Sequence, residues 1–175
     1  MGTHWFEDLP DGERLGDPLL RLTEAVSRML DGLASPPVAP ASGRIDAADS
    51  AVLLPHQAVP GCRLVVQVAT WSSSVACWWS AGPDWRAHPE NPELFAEFPL
   101  EGGGIGRAVA WLERELRRPV ATRSRSYGPA RRQRWAVAGD DGTELVLRQR
   151  WLPAWPGTGE ATAAPDGRDA ADVRW

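Results

Sequence analysis

Apolar positions along the chain follow helical spacing in two segments. From residue 19 to 33 they recur at i, i+3 and i+4 after an Asp-Pro pair, which is typical of a helix start and predicts a helix over 18–32. A second stripe runs from residue 105 to 116, and Pro119 ends it because proline cannot continue a helix. The pattern therefore predicts two amphipathic helices.

Alternation of apolar and polar residues predicts strands in the rest of the chain. The segment 63–80 predicts a hairpin that turns at Ser72-Ser73 and sets Cys77 opposite Val68. The short run 51–54 ends at a proline, which favours an edge strand. Three further strands are predicted at 120–127, 131–138 and 144–151.

These elements predict an α+β fold. We expect a single antiparallel sheet, made of the hairpin plus a three-stranded meander, with the two main helices packed on one face. The predicted domain spans 17–155, preceded by a flexible acidic N-terminus at 1–16 and followed by a disordered tail at 156–175, which is rich in Gly, Ala, Pro and Asp.

The turn at 139–143 predicts the register of the last hairpin. With Gly142 in the left-handed position, Ala138 lies opposite Glu144. Counting back along both strands sets Arg134 opposite Arg148 and Arg132 opposite Arg150, which predicts an arginine face on one side of this hairpin. Arg123 and Arg125 alternate on the preceding strand and are expected to widen it.

Like charges stacked across strands need a negative partner. Three interpretations stay open: a solvated face neutralised within the protein, a docking surface for an acidic protein, and a contact surface for nucleic-acid phosphates. The pI of about 5.4 and the lack of aromatic residues predicted on this face favour an acidic protein over nucleic acid.

The distribution of charge along the chain is uneven. The chain contains no lysine, and all 19 of its basic residues are arginine, a bias typical of high-GC bacterial genomes. Residues 1–105 carry 6 arginines against 14 acids, whereas residues 106–155 carry 11 arginines against 5 acids. Such an asymmetry favours either internal neutralisation or an external partner.

Ten tryptophans offer further candidate contacts. Trp79, Trp135 and Trp151 fall on predicted core faces. Trp78 points away from Trp79 on the same strand, among small residues, where either a helix covers it or a partner docks. Two more lie outside the predicted elements and are candidates for anchoring a partner: Trp5 and Trp155.

No motif for catalysis, metal binding or cofactor binding is present. The glycines at 102–106 match neither a dinucleotide fingerprint nor a phosphate-binding loop, and we interpret them as a flexible entry to the second helix. The histidines and cysteines lack metal-ligand spacing. Cys62 and Cys77 are predicted to lie too far apart for a disulfide, which favours reduced thiols and a cytoplasmic protein with no membrane segment.

Residues 108–120 have the form A-x-x-W-L-x-x-x-L-x-R-P-V. This segment resembles the helix-to-strand junction of small α+β proteins of high-GC Gram-positive bacteria, some of which are similar to immunity or accessory proteins. The resemblance implies an immunity-like or accessory role, and no residue role follows from it. The expected function is therefore non-catalytic protein binding, with nucleic-acid binding and an enzyme without a recognisable motif as alternatives.

Overall fold

The computed structural model describes residues 3–7, 15–81 and 83–153 of the chain. Both predicted helices form, α1 at Asp17–Gly32 and α2 at Gly104–Arg117. Their apolar stripes are buried, including Leu22 and Leu30 of α1 and Leu112 of α2. By its internal contacts the chain divides into two units, Met1–Arg118 and Pro119–Trp175.

The first unit contains a five-stranded antiparallel sheet in the order β1-β2-β3-β4-β5. β2 lies between β1 and β3, so the prediction that the 51–54 run forms an edge strand was wrong. β1 lies in a segment for which the sequence pattern predicted no strand, and β5 follows a single 3-10 turn at Pro92–Leu94. The strands are β1 Arg44–Asp46, β2 Ala51–Pro55, β3 Cys62–Ala69, β4 Ser74–Ala81 and β5 Phe95–Pro99.

The second unit contains a separate three-stranded antiparallel sheet in the order β6-β7-β8. Its strands are β6 Val120–Tyr127, β7 Ala130–Ala138 and β8 Glu144–Pro153. The α+β class is confirmed, but the prediction of a single sheet was wrong. The β3–β4 hairpin pairs with β2, the strand predicted at 51–54, and with β5, which the local pattern did not reveal, and it does not pair with the meander.

The β3–β4 hairpin turns over four residues, Thr70 to Ser73, and not over Ser72-Ser73 alone. Cys77 consequently lies opposite Val66, two residues from the predicted partner Val68. A shift of two residues keeps every side chain on its predicted face, because strand side chains alternate with a period of two. The predicted faces are therefore observed although the predicted register was wrong.

Both faces of the five-stranded sheet are covered. Trp79 faces α2, where its indole N–H donates to the Glu115 carboxylate. Trp78, on the other face, is covered by the segment that carries Trp85, His88 and Phe95. This double coverage explains why β4 is buried over seven consecutive residues, with no alternation of exposed positions.

The N-terminal residues 3–7 belong to the first unit. Trp5 is buried and its indole N–H donates to Asp31 of α1, with an N···O distance of 2.8 Å. Phe6 forms a bridge with Gly43, where a side chain would collide with the Phe6 ring. Trp5 is thus an interior residue, and it is not a candidate for anchoring a partner.

No helix among the described residues has the length and apolar character needed to cross a bilayer. Cys62 and Cys77 are both buried, and they do not form a disulfide. Cys62 lies at the open end of the β3–β4 hairpin, where it pairs with Ala81, whereas Cys77 lies four pairs further along the ladder, opposite Val66. This separation agrees with the prediction of two reduced thiols.

Candidate functional site

Four arginines of the second unit form two directly opposed cross-strand pairs. Arg123 of β6 lies opposite Arg134 of β7, and Arg125 lies opposite Arg132. Residues two apart on a strand point to the same side, so all four side chains share one face of the sheet. Like charges in this arrangement destabilise a sheet by roughly a few tenths to 1 kcal/mol per pair.

Arg148 and Arg150 do not belong to this face. A β-bulge between Trp135 and Ala136 shifts the β7–β8 register, so that Arg148 lies opposite Trp135 and Arg150 opposite Gln133. The Arg150 guanidinium lies 5.1 Å from the centroid of the Trp135 ring and donates to Gln133 Oε1. The predicted pairs of Arg132 with Arg150 and Arg134 with Arg148 were therefore wrong.

The bulge also changes the environment of Trp151, which the alternation placed in the core. Trp151 pairs with Arg132 and is 55% exposed. One extra residue in β8 transfers all following side chains to the other face, and a pattern of apolar positions contains no signal for such an insertion. The prediction that this face lacks aromatic residues was wrong, because Tyr127 lies two residues from Arg125 on the same side of β6 and both it and Trp151 contact the arginines.

Tyr127 and Trp151 form an aromatic pair beside Arg125 and Arg132, at the end of the four-arginine group that is distant from Arg123. Their ring centroids lie 5.4 Å apart, and Tyr127 is 38% exposed. Arg125 and Arg132 both lie 5.3 Å from the Tyr127 centroid, and Arg132 also lies 5.9 Å from that of Trp151. The negative ring faces attract the guanidinium groups, and this attraction offsets part of the repulsion between the two arginines.

We call this surface the arginine–aromatic face. It consists of six residues: Arg123, Arg125, Tyr127, Arg132, Arg134 and Trp151. Its other end has a carboxylate, since Arg123 lies 3.7 Å from Glu144. The positive charge is thus least compensated at the end where the two rings are exposed.

The Trp78 side chain is 0% exposed and lies in the interior of the first unit. Its indole N–H donates to the Trp85 carbonyl at 3.0 Å, and the two rings stack with centroids 6.3 Å apart. Neither proposed alternative was right, because a loop covers Trp78 where a helix or a partner was expected. Trp155, the remaining candidate anchor, lies outside the described residues.

The first unit contains a buried ionic cluster that was not predicted from the sequence. The Glu115 carboxylate is fully buried, accepts a hydrogen bond from Trp79 at 2.9 Å, and lies 3.2 Å from both Arg114 and Arg118. Burial raises the pKa of Glu115, although the Trp79 hydrogen bond and the two positive charges act against that rise. A glutamate on the apolar side of a helix stripe was the signal that could have indicated it.

Two further buried titratable side chains of the first unit are His56 and Cys77. His56 packs against the Trp79 ring, with centroids 5.3 Å apart, and burial lowers its pKa. Burial raises the pKa of the Cys77 thiol, which disfavours the reactive thiolate. Two surface depressions of the first unit, one beside Leu20 and one beside Pro37, include none of these side chains.

Metal binding has no site among the described residues, because no three or more of their His, Cys, Asp and Glu side chains cluster at metal-binding distance. Comparisons of the chain with protein-family models, with curated proteins and with solved structures gave no match. The arginine–aromatic face is therefore the candidate functional site among the described residues.

Proposed function

We propose that the protein is a non-catalytic binding protein whose arginine–aromatic face docks on an acidic surface of another protein. The observation that carries the proposal is the composition and exposure of this face: two opposed arginine pairs with an exposed tyrosine and tryptophan beside them. Arginine, tyrosine and tryptophan are the residues most enriched among those that dominate binding energy at protein interfaces.

The electrostatics of the face favour an anionic partner. Residues 119–153 carry seven arginines against three acids. Within each of the two cross-strand pairs, the two guanidinium groups repel each other in the isolated protein. A carboxylate placed between Arg125 and Arg132 would relieve that repulsion and gain two charge-assisted hydrogen bonds. Complementary charge of this kind raises the association rate and excludes basic partners.

An immunity-like or accessory role is the form of protein binding that the resemblance of residues 108–120 implies, and it belongs to this proposal. We place the activity in the cytoplasm. The support for that placement is the pair of buried thiols, Cys62 and Cys77, which form no disulfide.

Co-purification from the native host tests the proposal. The test variant replaces Arg123, Arg125, Arg132 and Arg134 by glutamine, and we expect it to lose the partner while circular dichroism stays unchanged. The matched control replaces Arg148 and Arg150 by glutamine on the opposite face of the same sheet, and it should retain the partner. Retention of the partner by the fourfold variant would refute the proposal.

A second candidate is single-stranded nucleic acid, and the position of the two rings favours it. Exposed aromatic rings beside arginines on a sheet face can stack bases while the guanidinium groups contact phosphates. We rank it second because the chain is acidic overall, with a pI of about 5.4. Titration of the intrinsic tryptophan fluorescence with oligo-dT at several salt concentrations, for the wild type and for Trp151→Leu, tests it, and no quenching of the wild type at low salt would eliminate it.

A further inference from the structure

We propose that β6 is a docking edge, and that the acidic partner binds by adding an extended strand to it with acids at every second position. This inference rests on the proposed function and specifies its mode of binding. β6 stands at the end of the order β6-β7-β8, so one of its sides has no neighbouring strand in the described sheet. Residues 122–127 are all exposed, and β6 pairs with β7 over eight residues without a register shift.

The geometry of the β6–β7 hairpin turn determines which backbone groups of β6 point to its unpaired edge. Tyr127 and Ala130 flank a two-residue loop, and the residues that close such a loop form a hydrogen-bonded pair. Hydrogen-bonded and non-hydrogen-bonded pairs alternate along an antiparallel ladder. The N–H and C=O groups of Ser124 and Ser126 therefore point to the open edge, where an added strand can bind them.

The arginine spacing determines the sequence that such a strand would have. Arg123 and Arg125 are two residues apart, about 6.6–6.8 Å along the strand. An added strand repeats this spacing, so acids at alternate positions would lie beside both guanidinium groups on the same face. The intervening positions would lie beside the small side chains of Ser124 and Ser126, which accept residues of many shapes.

Three observations favour this edge and this occupant. A second copy of the chain is disfavoured, because antiparallel pairing of two β6 strands would place arginines beside arginines on one face. The opposite edge, β8, contains the extra residue of the bulge and ends at Pro153, features that disfavour strand addition. β8 also contributes no arginine to the arginine–aromatic face, since Gln149 and Trp151 are its residues there.

Fluorescence anisotropy with synthetic peptides tests the inference. The probe is a fluorescein-labelled Thr-Glu-Thr-Glu-Val-Glu-Thr peptide, in which acids alternate with uncharged residues. One control peptide has the same composition with its three glutamates in a block, and another keeps the alternating sequence but has N-methyl groups at alternate amides. We expect the alternating peptide to bind about tenfold more tightly than either control.

A backbone variant of the protein supplies an independent readout. Ser124→Pro removes an outward N–H while it keeps all four arginines, and it should weaken the alternating peptide about tenfold without changing the affinity for the block peptide. Ser124→Thr keeps the N–H and should bind as the wild type does. Thermal unfolding of both variants verifies that the second unit remains folded, and Ser126→Pro replaces Ser124→Pro if it does not.

The outcomes separate this inference from the proposed function. Equal affinity for all three peptides would show that the arginines bind acids by charge alone, which overturns strand addition and leaves the proposed function intact. Absence of binding by the alternating peptide would also overturn strand addition. The proposed function fails only if the fourfold glutamine variant retains its partner in co-purification.

Discussion

The two units of this protein place arginine side chains in opposite environments. In the first unit, Arg114 and Arg118 lie beside the buried carboxylate of Glu115, and the charges compensate each other within 3.2 Å. In the second unit, Arg125 and Arg132 face each other across two strands, with an aromatic ring as their contact. The first arrangement serves the fold, because a buried charge must be paired. The second leaves positive charge available on the surface, which a sheet that served stability alone would not need.

The largest expected effect comes from breaking the buried cluster. Glu115→Ala should lower the free energy of unfolding by about 3–5 kcal/mol, because it removes the acceptor of the Trp79 indole and the shared partner of two arginines. Urea unfolding measures the change. Glu113→Ala, which removes an exposed i,i+4 pair with Arg117 on the same helix, should cost no more than about 0.5 kcal/mol. Equal losses for the two variants would contradict the compensation described above.

Substitution of one buried and one exposed tryptophan distinguishes a structural role from a binding role. Trp78→Leu should lower the free energy of unfolding by about 2–4 kcal/mol, since the ring is fully buried against Trp85. Trp151→Leu should change it by less than about 0.5 kcal/mol because the ring is half exposed, yet it should weaken partner binding. Thermal unfolding together with co-purification distinguishes the two roles. A large loss of stability in the Trp151 variant would indicate a structural ring.

A charge reversal tests whether repulsion within the arginine pairs lowers the stability of the fold. Arg125→Glu converts a like-charge pair with Arg132 into an opposite-charge pair, and we expect a gain of about 0.5 kcal/mol in unfolding free energy with loss of the partner. Arg150→Glu, on the opposite face, loses hydrogen bonds to Gln133 and should cost about 1 kcal/mol. Destabilisation by Arg125→Glu would show that the fold itself neutralises this arginine.

The pH dependence of the unfolding free energy that His56 causes should be a smaller effect than those of the substitutions above. Burial lowers the pKa of His56, so folding favours the neutral imidazole. Stability from this group is present above pH 6.5, the ordinary value, and is lost as the pH falls through the lower folded pKa. His56→Phe should remove that part of the pH dependence, measured by urea unfolding between pH 5 and 7. An unchanged slope in the variant would assign the dependence to another group.

Much of the candidate site was predictable from the residues near it in sequence. The alternation of Arg123, Arg125 and Tyr127 and the turn at Gly142, which has a φ of +83°, place β6, β7 and the start of β8 correctly. The contribution of Arg148 and Arg150 was mispredicted because the bulge at Trp135 reverses the faces of β8 beyond it. The cover of Trp78 was predicted to be a helix or a partner because the segment that covers it contains four prolines, at positions 83, 89, 92 and 99, and no recognisable strand or helix pattern.

Local patterns were enough to predict the two helices, the three strands of the meander and the turn between the last two, because helical period, strand alternation and glycine at positive φ are local properties. The separation of the strands into two sheets, the burial of Glu115 and the contact of Trp151 with Arg132 depend instead on tertiary packing. Pairing partners and bulges depend on contacts between residues distant in sequence, and one inserted residue is enough to exchange the two faces of a strand.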